Sequence, residues 1–363
     1  MGDEEGAVMY IGPDSLALIH HLHASMSNII QSRSSAYGRI LDVCTGSGVQ
    51  ALAAIAMLES REGGLAGDKP FAVAVDVNYR ALRFTTFNAH LNGLKDKIVT
   101  VHADLLSEQS HANCESLNEV IMKVMINSKK QHHRNQLNPH KDDRKFDFLL
   151  ANPPFIPVPP TRLDYSTSSL CAEGSDADGD NAPRYGLFSS GGASGEDCLR
   201  AIVRMAPSLL KSDGGLLAVV SEFMNPPLPS STMTRSMGGD GVKYNLTARL
   251  ETWWGSQQAA NGLVFTNENA IDADMYAQRR AVRNDLADIN VWRDHLKLHG
   301  ISSVSPGLMF VQTINSDCFP SESKHSLALK HHFVPKSECG SIWTPHNVGA
   351  VQFTRDKIGS FAS

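Results

Sequence analysis

From Arg39 onward, short apolar runs alternate with stretches whose apolar residues recur at helical spacing. This is the pattern of a mostly parallel α/β sheet with helices on both faces, a doubly wound, Rossmann-like arrangement. Arg39 to Cys44 reads as a strand ending in Thr-Gly-Ser-Gly, and Val49 to Glu59 as the alanine-rich helix after it. Phe71 to Val75 is apolar throughout, as a strand buried on both faces should be, and Tyr79 to Leu91 is its helix, stopped at Asn92-Gly93. Ile98 to Val101, Phe146 to Ala151 and Gly215 to Phe223 supply three more strands, the last preceded by a helix from Asp197 to Leu210. Before them, a turn at Gly12-Pro13 leads into a helix reaching Ile30, capped by Asp14 or Ser15, with Leu16, Ile19 and Leu22 at helical spacing. Residues 269–299 read as charged and helical, and Leu308 to Ile314 as the last strand.

The resulting plan has an N-terminal helical segment over 1–36 and one sheet-based domain over 37–315, followed by an unassigned extension over 316–363. Insertions into the domain are expected at 107–145 and 161–197. Their charges differ. Residues 129–145 hold six Lys or Arg against two Asp, a local +4, whereas residues 161–197 hold two Arg against seven acids, a local −5.

Composition narrows the class. A chain of 363 residues with 42% hydrophobic residues and a net charge of −5 is an ordinary globular protein, not one whose whole surface is built to hold phosphates. The six cysteines form no Cys-x-x-Cys pair, and the start, MGDEEGAVMY, is acidic where a presequence would be basic. No apolar run spans a bilayer, so a cytoplasmic, membrane-free protein is expected. His20, His21 and His23 have no Cys or carboxylate at matching spacing and read as surface and packing residues, so no metal is expected.

The chemistry gathers at the carboxyl ends of consecutive strands, where open α/β sheets bind ligands. Asp42, Cys44, Thr45, Gly46 and Gly48 make a glycine turn running into a helix N-terminus, a nucleotide-type cradle. Asp76 can accept hydrogen bonds from both hydroxyls of a ribose, and Asp104 can take the exocyclic amine of an adenine. The fourth strand ends in Asn152-Pro153-Pro154-Phe155, an acceptor-rich turn stripped of two N–H donors. The side-chain oxygen of Asn152 and the carbonyl of Pro153 can both accept from one planar NH2 group while Phe155 stacks on its plane.

These residues resemble class I S-adenosylmethionine-dependent methyltransferases, in the branch with an Asn-Pro-Pro-aromatic motif. That branch includes the release-factor glutamine methyltransferases and the adenine-N6 and guanine-N2 methyltransferases of DNA and RNA. YIGPDSLAL, LDVCTGSG, VDVNYRALRFTTFNAHLNG and FDFLLANPPF carry the resemblance, which extends over roughly Tyr10 to Phe223. It implies S-adenosyl-L-methionine as cofactor, with Asp42, Cys44, Thr45, Gly46 and Gly48 around its methionine part, Asp76 at the ribose and Asp104 at the adenine. Asn152, Pro153 and Phe155 would hold the target nitrogen, with Asn152 also near the cofactor. Two departures stand out. Cys44 replaces the first glycine of the commonest pattern, which is tolerable where the backbone keeps negative φ, and Ser194 replaces the acid of a Gly-Gly-x-Asp-Gly stretch.

The expected activity is methyl transfer to a planar amide or amino nitrogen of a protein or small molecule. An acidic 161–197 stretch beside Asn152 argues against a polyanionic acceptor, and the basic 129–145 stretch enters the fourth strand from the opposite edge. An RNA or DNA amino-group methyltransferase is the alternative; further off stand a nicotinamide-dependent oxidoreductase and an idle binding module of the same fold.

Overall fold

The structure, a computed structural model, describes residues 8–31, 38–60, 70–106, 121, 145–162, 188–227, 245–281, 285–315, 326–335, 341–344 and 348–362. Among them, helix α1 (Pro13–Gln31) precedes an alternating core of β1 (Arg39–Val43), α2 (Val49–Glu59), β2 (Phe71–Asp76), α3 (Tyr79–Leu91), β3 (Ile98–His102) and β4 (Phe148–Ala151). There follow α4 (Asp197–Leu209), β5 (Leu216–Met224), α5 (Leu246–Trp254), β6 (Ala260–Asn267), β7 (Ile271–Asp272), α6 (Ala273–Arg280) and α7 (Leu286–Leu298). Strands β8 (Ser303–Thr313) and β9 (Leu327–Val334) and helix α8 (Val348–Ala362) complete the described chain. No helix among the described residues is long and apolar enough to cross a membrane.

The strands form one sheet in the order β3-β2-β1-β4-β5-β8-β6-β9, with β7 beside β8. Pairing is parallel from β3 through β5, antiparallel on both sides of β8, and parallel again between β6 and β9. Strand order reverses between β1 and β4, and that switch point opens the crevice at the carboxyl ends of the strands.

Burial explains the central strands. All nine residues of β5 and all four of β4 are buried, so these runs carry no polar alternation. One face is covered by α1, α2, α3 and α8, through residues such as Leu18, Ile55, Ala89 and Ile358. The other is covered by α4 and α5, where Leu199, Ile202, Val203, Ala206 and Leu209 form the inward stripe of α4. A third cluster lies beyond the carboxyl ends, where Trp292 and Tyr276 pack on Ile156, Val158 and Met224.

Several expected boundaries shift. The fourth strand begins at Phe148, and Phe146 makes only an isolated bridge to Leu210. The 269–299 run is two helices behind a short strand. The strand expected at Leu308 to Ile314 starts at Ser303 and is not the last, because β9 lies beyond residue 315 and pairs with β6 over its full length. Strand β6 and helix α5 have no counterpart in the sequence reading; Asn261 and Gly262 break the apolar run of β6, and Lys330, His331 and His332 mask β9 at the sheet margin. Most of the two charged insertions, residues 107–120, 122–144 and 163–187, lies outside the described residues, so the charge comparison between them does too.

Candidate active site

The glycine turn is built from inside by Asp42. Its carboxylate, fully buried at the end of β1, accepts from Thr45 Oγ1 at 2.6 Å and from the Ala51 N–H at 3.2 Å, which ties the turn to the first turn of α2. Asp42 therefore shapes the turn rather than facing the crevice directly. From outside, α3 closes it: Thr85 Oγ1 donates to the Gly46 carbonyl at 3.0 Å and Asn88 Nδ2 to the Ser47 carbonyl at 2.8 Å. Thr85 and Asn88 were not evident from the sequence, because their role depends on how α3 packs against the turn.

The backbone takes positive φ at Gly46 (56°) and Gly48 (79°), and also at Cys44 (58°). The expectation of negative φ at Cys44 is thus corrected: the chain must reverse between Asp42 and Thr45, and a cysteine carries the left-handed residue that glycine would carry without strain. Burial pushes its thiol well above the ordinary range, so it stays protonated. Gly48 cannot be replaced as readily, since a Cβ there would lie 2.7 Å from Thr85 Cγ2. Gly48→Ala is expected to cost about 1–3 kcal/mol in a thermal or denaturant melt and to open the turn; an unchanged melting temperature would contradict this.

Asp76 follows at the end of β2. Its Oδ2 accepts from the Gly46 N–H and its Oδ1 from the Asn78 N–H, both at 2.9 Å, leaving further lone pairs on both oxygens for a diol. Burial raises its pKa against these hydrogen bonds. Asp104 stands two residues past β3, exposed, with Oδ1 accepting from the Leu106 N–H at 2.8 Å. The register Val43↔Val75 and Asp76↔His102 sets the turn, Asp76 and Asp104 side by side along one edge of the crevice. With the open space at Gly46 and the buried Asp42 Oδ1, which has no partner among the described residues, this cradle fits an adenosyl cofactor with an amino-acid tail.

Asp42 has a measurable signature. Burial raises its pKa from the ordinary 3.8 to about 7. The folded protein then holds a proton that the unfolded chain has lost, so this contribution to stability is complete below pH 3.8 and disappears as pH rises to about 7. Asp42→Asn is expected to flatten the fall of melting temperature across that window; equal slopes in the two proteins would contradict it.

At the end of β4 the Asn152 side chain is buried. Its Nδ2 donates to Asp14 Oδ2 at 2.9 Å and to Ser15 Oγ at 3.0 Å, both at the start of α1. Its Oδ1 finds no partner among the described residues. The ring of Phe155 lies 5.4 Å from that of Trp343, tilted by 49°. The Gly191–Gly195 turn presses on the backbone of Phe155, where a Cβ on Gly191 would meet Phe155 Cα at 2.8 Å and one on Gly195 would meet the Phe155 carbonyl oxygen at 2.7 Å. Ser194, in the place of the expected acid, caps this turn by accepting the Glu196 N–H at 3.2 Å. Nearby, Glu222 at the end of β5 accepts from Tyr276 Oη at 2.6 Å and from Arg280 at 3.0 and 3.1 Å. Burial raises the Glu222 pKa, opposed mainly by Arg280.

The structure thus brings Asp42, Cys44, Thr45, Gly46, Gly48, Asp76 and Asp104 along one part of the crevice and Asn152, Pro153 and Phe155 at its middle. Asp14, Ser15, Trp343 and Glu222 were not evident from the sequence; only the cap role of Asp14 or Ser15 gave a hint. Of the acids in the 161–197 stretch, Glu196 pairs with Arg249 and Asp197 with Arg200, at 2.7 and 2.8 Å. These two carboxylates are engaged and lend little free charge to the crevice.

Residues 21–136 match the family model of the ribosomal protein L11 methyltransferase, a span that includes β1 to β3 and stops short of Asn152. No curated protein matches the chain. Among solved structures, the methyltransferase subunit of a type I restriction-modification system from Streptococcus thermophilus is 12% identical, with a TM-score of 0.44, over 99% of this chain and 54% of its own. Ribosomal protein L11 methylase from Lactobacillus delbrueckii subsp. bulgaricus is 16% identical, with a TM-score of 0.26, over 55% of this chain and 59% of its own. Geranyl diphosphate C-methyltransferase from Streptomyces coelicolor is 9% identical, with a TM-score of 0.33, over 80% of this chain and 77% of its own. The chain therefore spans little more than half the length of two of these. The sheet order is that of the Rossmann-like class I methyltransferase fold, the match over residues 21–136 falls on the part of the chain that carries the cradle, and S-adenosyl-L-methionine is the cofactor this cradle fits.

Proposed function

We propose that this protein transfers a methyl group to the nitrogen of a planar NH2 group, an amide or amine, on a protein or small molecule. The observation that carries the reading is the Asn152 Oδ1, buried and without a partner among the described residues. A buried acceptor left open costs stability unless something from outside completes it.

When bound, S-adenosylmethionine supplies an electrophilic methyl carbon on a positively charged sulfur, which departs as a neutral thioether. A planar nitrogen is a weak nucleophile because its lone pair is delocalised. By accepting one N–H each, Asn152 Oδ1 and the Pro153 carbonyl hold the nitrogen in line and share the positive charge it gains as the new N–C bond forms. The nitrogen then loses one of its protons along this acceptor edge toward water. Phe155 bounds the NH2 plane, with the Trp343 ring 5.4 Å from its own.

Asn152 is held by the Asp14 carboxylate, which in turn lies close enough to Glu222 to act on its carboxyl group, and Glu222 is offset by Arg280. That setting supports a neutral, donor-rich acceptor over a polyanion. The test is incubation with labelled S-adenosylmethionine and cell extract, wild type against an Asn152 variant, followed by protease or nuclease digestion. Label released by protease, or carried by small molecules, supports the reading. Label released by nuclease, with binding that weakens steeply as salt rises, would replace it with methylation of a nucleic-acid amino group.

A further inference from the structure

Asn152 has two chemically opposite ends, and only one of them serves an incoming NH2 group. Rotating the amide by half a turn would present Nδ2, a donor, to the acceptor's own donors, and the site would repel what it is meant to hold. Which end faces the crevice is decided by what lies behind the side chain. Asp14, a buried carboxylate, only accepts when ionised, so the group opposite Asp14 Oδ2 at 2.9 Å has to be the Nδ2 donor. Ser15 Oγ, buried beside it at 3.0 Å, takes the second Nδ2 hydrogen. Both hydrogens of the amide are thereby used, and Oδ1 is left as the buried end of Asn152 without a partner among the described residues.

We infer that Asp14 and Ser15 are positioning residues for methyl transfer: they lock the Asn152 amide with its oxygen toward the acceptor, and so restrict the acceptor to a nitrogen that brings hydrogens to donate. The inference rests on the functional reading above. It adds the first turn of α1, a segment preceding the cofactor-binding strands by some two dozen residues, to the acceptor side of the site. The selection is negative as well as positive. An acceptor whose reacting atom carries no hydrogen meets Oδ1 as lone pair against lone pair, with no rotation of the amide available to relieve it.

Exchanging the two residues tests this. Asn152→Asp alone places a second carboxylate against Asp14, whereas Asp14→Asn together with Asn152→Asp restores a donor facing an acceptor with the direction of the bond reversed, and leaves a carboxylate oxygen toward the crevice. Methyl incorporation from labelled S-adenosylmethionine into cell extract is measured for each, with the affinity for S-adenosylhomocysteine by calorimetry. Asp14→Ala should lower incorporation about 100-fold through misplacement of the amide, with S-adenosylhomocysteine affinity held within a few-fold. Asn152→Asp should be inactive, and the double exchange should regain at least about a tenfold rate over it, the size expected of one restored polar contact. A structural role would move melting temperature without this rescue. Should Asp14→Ala incorporate label as fast as wild type, or the double exchange stay at the level of Asn152→Asp while folded and binding S-adenosylhomocysteine, the positioning role is overturned. Wild-type protein that transfers no label overturns the functional reading itself, and this inference with it.

Discussion

Asn152→Ala is expected to reduce methyl transfer by at least about 100-fold while S-adenosylhomocysteine binds within a few-fold of wild type. The size follows from removing one preorganised group aimed at developing charge. The split follows from geometry: Asn152 sits past β4, while the turn follows β1, Asp76 ends β2 and Asp104 follows β3. Truncation also leaves the buried Asp14 carboxylate without its Nδ2 donor, so a loss of stability on the order of 1–3 kcal/mol accompanies it. Asn152→Ser, which keeps a hydroxyl in that space, separates the two effects. If it melts like wild type and still fails to transfer methyl groups, fold damage is not the cause. Unaltered turnover in both variants would remove Asn152 from the reaction.

Asp76→Ala is expected to do the reverse. A carboxylate accepting from two hydroxyls makes two charge-assisted contacts of about 1.5–3 kcal/mol each, so calorimetry should record a dissociation constant for S-adenosylhomocysteine raised 100-fold or more. The variant also frees the Gly46 N–H that Asp76 Oδ2 holds at 2.9 Å, which loosens the turn. Turnover at saturating cofactor should recover most of the wild-type rate. Affinity unchanged by the substitution would sink the ribose assignment.

The strands that position the cofactor cradle were legible because burial on both faces leaves apolar runs with no competing pattern, as in Phe71–Asp76 and Leu216–Met224. The cradle residues were legible because they stand at or just after the carboxyl ends of the first three strands. What escaped was whatever depends on distant parts of the chain meeting. Asp14 and Ser15 read as helix caps, and nothing local shows that they face Asn152, 138 and 137 residues away. Trp343 lies in a stretch without period, and its contact with Phe155 exists because the segment around Ile342 is anchored by Asn267 Oδ1 and by His21 Nε2. Cys44 failed in another way: the sequence showed the absence of a glycine, but whether the backbone there would accept the strain is settled by the folded turn.

The parallel bridge between Ile156 and Ser190 carries a consequence for how such a protein can change. The Ile156 N–H donates to the Ser189 carbonyl and the Gly191 N–H to the Ile156 carbonyl, so the chain leaves the Asn-Pro-Pro-Phe turn and comes back to the same point. Whatever lies between, the Asn-Pro-Pro-Phe turn sees the same two fixed ends. Doubling the length of a loop closed in this way costs only about 0.6 kcal/mol. The segment can therefore be lengthened, shortened or exchanged as a cassette, letting descendants acquire new surfaces while inheriting the same Asn-Pro-Pro-Phe turn.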